Sequence, residues 1–166
     1  MIPANKIKPR LATDTCSMLF LYQTGLLDRA AEHYTFYITP LILGELEKRA
    51  DKQEIRAYQN STVLFNVDGL VGDTFNISNA SVADKSLLAL YNTKDIAAIL
   101  SEDGPILRYC KKNDIPHFCC LSLVADMVRK NMMSRELATV YLNKLIKLGR
   151  YAEWVIERAY NMLEDK

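Results

Sequence analysis

Residues 97–119 read AAILSEDGPILRYCKKNDIPHFC, and the fold is decided there. A wholly apolar run at 97–100 is followed by a helical segment at 105–113 and a second short strand at 115–119. Apolar strands of this length belong in a sheet covered on both faces, and a helix between consecutive strands makes them parallel. The alternation extends toward the N-terminus, with strands at 10–13, 35–38 and 62–67 and helices at 17–23, 26–31, 41–50, 53–59 and 81–91. Thr39-Pro40 is a helix start, with threonine as N-cap and proline at the first helical position. Residues 68–80, with two glycines and no sustained period, read as a loop.

Beyond residue 121 the pattern changes to three helical segments, at 122–131, 134–148 and 152–163, with no strand between them. In the second, Leu137, Val140, Tyr141, Leu145 and Leu148 recur at helical spacing between Ser134 and Gly149. Trp154, Ile156, Ala159, Tyr160 and Leu163 give the third an apolar stripe. The expectation is an α/β domain over residues 1–131, a doubly wound parallel sheet of four to five strands flanked by helices. Residues 132–166 form a helical hairpin packed on that domain or contributing to a homodimer interface.

Composition sets the outer limits. The chain has 166 residues, 21 basic and 20 acidic side chains, and 49% apolar residues. These values exclude wholesale disorder and a binder that works by overall basicity. No apolar run reaches the ~20 residues of a membrane span, and the first residues lack a signal core, so a cytoplasmic protein is expected. Residues 1–103 carry 10 basic and 13 acidic side chains, and residues 104–166 carry 11 and 7. Such asymmetry is ordinary for solvated helix faces. Cys16, Cys110, Cys119 and Cys120 form no C-x-x-C pair and are expected as reduced thiols, the last two as small apolar residues on a core strand.

Four acids sit at informative places. Asp14 and Asp103 lie just past the ends of expected parallel strands, where open α/β sheets place their ligand crevice. Glu45 follows Leu41 and Ile42 by four and three residues and so leans toward the apolar face of its helix. Asp84 lies in the first turn of the helix that begins at Ser81. Each has a simpler role open to it. Asp14 and Asp103 suit N-caps, Ser81-Val-Ala-Asp84 matches a capping box, and Glu45 suits a solvated position.

Taken in order, Leu11-Ala12-Thr13-Asp14-Thr15, Thr39-Pro40-Leu41-Ile42-Leu43-Gly44-Glu45-Leu46, Ala83-Asp84-Lys85-Ser86 and Leu100-Ser101-Glu102-Asp103 resemble the PIN-domain nucleases. That family includes the VapC-type toxins and stand-alone relatives, and the resemblance covers roughly residues 10–120. It implies that Asp14, Glu45, Asp84 and Asp103 are a catalytic, metal-binding quartet, with Thr15 and Ser101 as supporting hydroxyls. An acidic cluster without His or Cys suits Mg²⁺ or Mn²⁺. The implied activity is a metal-dependent endoribonuclease acting on single-stranded RNA, with the toxin of a toxin–antitoxin pair as one biological role and an antitoxin as its partner. Lys85 and Arg108 are candidate phosphate contacts. The chain departs from the family at Cys16, where Asn or Ser is usual, at Lys85 beside the third acid, and in its C-terminal hairpin.

Two rival readings stand beside this one. A PIN-like module could bind nucleic acid or protein without cutting. A phosphoacceptor receiver domain also places acids at strand ends. It needs paired acids early and a lysine after a late strand, whereas here one Asp ends the first strand and Leu121-Ser122 follow the last.

Overall fold

The computed structural model describes residues 7–67 and 75–165. Five strands and nine helices alternate through the described residues as β1 (Arg10–Thr13), α1 (Thr15–Gln23), α2 (Leu27–Ala31), β2 (Thr35–Ile38), α3 (Pro40–Arg49), α4 (Lys52–Ser61) and β3 (Thr62–Leu64). They continue as α5 (Val82–Thr93), β4 (Ala98–Leu100), α6 (Gly104–Lys112), β5 (His117–Phe118), α7 (Cys120–Arg129), α8 (Arg135–Leu148) and α9 (Glu153–Glu164). Of the loop expected at 68–80, residues 68–74 lie outside the described residues. So do residues 1–6 and 166, at the ends of the two expected units.

The strands form one all-parallel sheet in the order β3-β2-β1-β4-β5. The chain winds outward from β1 through β2 to β3, then returns to β4 on the other side of β1. The order therefore reverses between β1 and β4, which opens a crevice at their carboxyl ends. In the centre of the sheet Leu11, Ala12, Phe36, Ile38, Ala98, Ile99 and Leu100 are buried. Edge strand β3 instead exposes Val63 and Leu64.

Helix ends follow local chemistry. Gly25, at φ 77°, closes α1: its N–H donates to the Tyr22 carbonyl, and Leu26 N–H donates to that of Leu21. That pairing satisfies carbonyls otherwise orphaned at a helix end. Asn131, also left-handed, closes α7 in the same way through Val128 and Met127.

Three expectations are corrected. The strand at 115–119 is only His117–Phe118, because Pro116 has no N–H to pair and Cys119 turns away to cap α7. Cys119 is that N-cap and Cys120 opens the helix, so neither lies on a strand. The cysteine thiols are unpaired. In α8 the buried residues are Ala138, Leu142 and Leu145, while Val140 and Leu148 face outward; small Ala138 sits on the buried side. In α9 Ala159 and Leu163 are buried and Trp154 is 64% exposed. Both helices pack on α7, and their buried residues join the same hydrophobic core as the sheet. No helix of the described residues is long and apolar enough to cross a membrane.

Candidate active site

The crevice between β1 and β4 opens into a cavity of ≈ 260 Å³ lined by Asp14, Thr15, Cys16, Glu45, Arg49, Ser81, Asp84, Glu102 and Asp103. Five acids from four separate parts of the chain thus face one space. Asp14 arrives at the end of β1 and Glu102 and Asp103 at the end of β4. Glu45 comes from the middle of α3 and Asp84 from the first turn of α5. A buried contact between Thr39 Oγ1 and Ser86 Oγ, 2.7 Å, ties the start of α3 to α5 and fixes those two helices relative to each other.

Asp14 is 2% exposed and heavily engaged. Its Oδ1 accepts from Ser17 N at 2.8 Å, capping α1, and its Oδ2 accepts from Ser101 Oγ at 2.6 Å and Glu102 N at 3.0 Å. Ser101 Oγ in turn accepts from Asp103 N at 3.0 Å. Ser101 is therefore buried behind the cavity, where it links the first and last acids. Thr15 Oγ1 donates to Glu45 Oε2 at 2.5 Å. Asp84 closes the capping box with Ser81, and Asp103 Oδ2 caps α6 through Ile106 N at 3.0 Å.

The simpler roles considered for Asp14, Asp84 and Asp103 are thus real, and they coexist with facing the cavity. Capping also brings the starts of α1, α5 and α6 to its wall. The positive ends of three helices there offset part of the carboxylate repulsion.

Electrostatics register the crowding. Burial pushes Asp14 above the usual carboxylate range despite its hydrogen bonds from Ser101, Ser17 and Glu102. Asp84 is also raised, first by burial, then by the charges of Asp14 and Asp103, while its bonds with Ser81 act against the shift. Glu102 is raised by burial, against the Cys120 N–H that reaches its Oε1 at 2.6 Å. The Tyr151 hydroxyl, buried on the loop between α8 and α9, faces Glu102 without reaching hydrogen-bond geometry; burial and that carboxylate push the phenol far up.

The donor set is oxygen-rich and free of histidine, the chemistry a hard divalent cation prefers. Oε1 of Glu45 and Oδ1 of Asp103 take no part in hydrogen bonds among the described residues. As placed, however, no three His, Cys, Asp or Glu side chains among the described residues are grouped to hold one ion. The oxygens suit such an ion by their chemistry, while their placement gathers no three of these side chains around one point.

Lys85, half-buried on α5, and exposed Arg108 on α6 do not line the cavity. Two residues that do were missed in the sequence. Glu102 lies beside Asp103 just past β4, and only that place could have marked it. Arg49 stands in the last turn of α3, where a basic residue is customary. Its spacing of four from Glu45, which sets both on one helix face, was the available signal. The chain matches no protein-family model and no curated protein.

Proposed function

We propose that this protein is a metal-dependent endoribonuclease of PIN type, hydrolysing phosphodiester bonds of single-stranded RNA. One observation carries the reading: Asp14, Glu45, Asp84 and Asp103, drawn from four separate elements, line a single cavity at the switch point of a parallel sheet. When bound, Mg²⁺ or Mn²⁺ supplies an activated water and charge neutralisation at a scissile phosphate. Asp14 and Asp103 are the proposed principal ligands, with Glu45 and Asp84 completing the set.

The chain's remaining residues orient these four. Thr15 holds one oxygen of Glu45 and leaves the other available. Ser101 fixes Asp14 relative to Asp103 through one hydroxyl that donates to the first and accepts from the second. Positioning of this kind matters because hydrolysis depends on ligands held in place before the substrate arrives. An antitoxin partner and a toxin role extend the same proposal.

The alternative, a PIN-like module that binds without cutting, draws on the capping roles of Asp14, Asp84 and Asp103, which account for those acids without any cation. One experiment separates the two. Purified protein is incubated with labelled single-stranded RNA and Mg²⁺ or Mn²⁺, with EDTA as control, beside Asp14→Asn and Asp103→Asn. Asparagine remains a good N-cap, so both variants keep their helices, as circular dichroism checks. The nuclease reading expects cleavage that EDTA abolishes and that both variants lose. Cleavage that survives EDTA or both substitutions rejects it, and RNA binding without cleavage selects the module.

A further inference from the structure

Among the described residues Arg49 is the one cation lining this acid-lined cavity. It follows Glu45 by one helical turn, in the order that favours an ion pair along a helix. Among the described residues it nevertheless makes no ion pair; the salt bridges there belong to Asp126. Each member instead meets one of two consecutive residues at the start of α1. Thr15 Oγ1 takes Glu45 Oε2 at 2.5 Å, and Cys16 Sγ accepts from Arg49 Nη1 at 3.8 Å. Neighbouring side chains on α1 thus engage separately the two members of a pair on α3 that stand at ion-pair spacing.

The separation has a chemical consequence. Glu45 keeps an oxygen for a cation, and the exposed Arg49 keeps most of its five donors, of which a thiol sulfur is only a weak acceptor for one. A guanidinium at the rim of a cavity suits the two oxygens of a phosphodiester, which it can meet with paired N–H groups.

We propose that Arg49 binds a backbone phosphate of the RNA at the cavity mouth, and that Cys16 is a positioning residue that keeps the guanidinium off Glu45. The assignment rests on the nuclease reading for its ligand, an RNA phosphodiester. It also gives the cysteine at a position where the resembling family usually carries Asn or Ser a specific task.

The test measures binding of a fluorescent single-stranded oligoribonucleotide by anisotropy across a salt series. Mg²⁺ is present, and all proteins carry Asp103→Asn so that the probe stays intact. Arg49→Gln should weaken binding roughly tenfold, the scale of one charge-assisted contact. It should also reduce the slope of log K against log salt by about 0.7, the value for one phosphate contact to a single strand. Arg49→Lys should restore the slope and part of the affinity.

Cys16→Ala should weaken binding when Arg49 is present and have no effect in the Arg49→Gln background. Additive effects of the two substitutions overturn the role given to Cys16. Unchanged affinity and slope in Arg49→Gln overturn the role given to Arg49. Cleavage by the otherwise unsubstituted protein is scored separately. RNA bound through Arg49 but not cut rejects the nuclease reading alone, and cutting that ignores Arg49→Gln rejects this inference alone. Failure to bind the probe at all rejects both.

Discussion

Replacing Tyr34 by phenylalanine probes the charge network around buried Asp126 that joins the start of β2 to α7. Asp126 is 1% exposed. Its Oδ2 accepts from Tyr34 Oη at 3.0 Å and Lys130 Nζ at 2.7 Å, and its Oδ1 accepts from Arg129 Nη2 at 2.7 Å. Burial works to raise this carboxyl, but the bonds from Lys130, Tyr34 and Arg129 outweigh it and hold Asp126 below the usual carboxylate range.

Tyr34→Phe keeps the buried ring and deletes one bond to a charged acceptor, worth ~1.5–3 kcal/mol. Two cations still face the carboxylate, so the expected loss is about 2 kcal/mol at pH 7. For a chain of this length that lowers Tm by about 4–8 °C. The pH dependence follows from the depressed pKa. Asp126 contributes stability above its unfolded value, near ~3.9, and that contribution is lost as pH falls through the folded value. Once the carboxyl is protonated the hydroxyl bond is an ordinary neutral one, and the gap between the proteins should narrow to about 1 kcal/mol. Urea unfolding at neutral and acidic pH, with the Asp126 carboxyl followed by carbon NMR, measures both. A gap that does not change with pH, or an Asp126 that titrates in the ordinary carboxylate range, would refute the reasoning.

Three further outcomes are expected. Asp14, Asp84 and Glu102 have raised folded pKa values, so the stability they contribute is complete below their unfolded values, near ~4, and is lost as pH rises through the folded ones. Mg²⁺ at about ten times its Kd should return about 1.4 kcal/mol, or about 3–6 °C in a thermal melt, at neutral pH, and less at pH 5; no response at either pH counts against a cation here. Gly25→Ala should lose about 1–2 kcal/mol in chemical unfolding purely from its left-handed backbone, since a Cβ there meets nothing within 4 Å. Gly149→Ala has an ordinary φ but its Cβ would overlap Tyr151 Cε2, so the ring beside Glu102 must move; a loss of about 1–3 kcal/mol and a change in tyrosine fluorescence are expected.

Much of this fold was legible because its strands are short apolar runs bounded by helix starts. The bounds of β2 match the reading at 35–38, and Thr39-Pro40 opens α3 as its chemistry requires. Strand order was not legible. Nothing in the composition of β1 says that its neighbours are β2 and β4, a pairing that depends on how the helices pack afterward. The β-branched and aromatic run at 62–67 yields a strand only over Thr62–Leu64, because only three of its residues find a partner strand at the sheet's edge. Within the site, residues that end strands or begin helices could be picked out singly. Arg49 and Glu102 carry fainter signals, a spacing of four from Glu45 and a place just past β4, because their part depends on which distant group reaches them.

The hydrogen bond between Ser101 and Asp14 spans 87 positions of chain. During synthesis, at roughly 5–20 residues per second, β1 waits several seconds for β4 to appear beside it. Until then Asp14 has neither its partner hydroxyl nor Asp103 across the crevice, and a half-made chain has no assembled cavity. A protein that cuts RNA would be made on a machine built of RNA and reading RNA. If the proposed nuclease activity holds, a centre that straddles the last central strand to arrive would be incomplete for as long as the chain is growing.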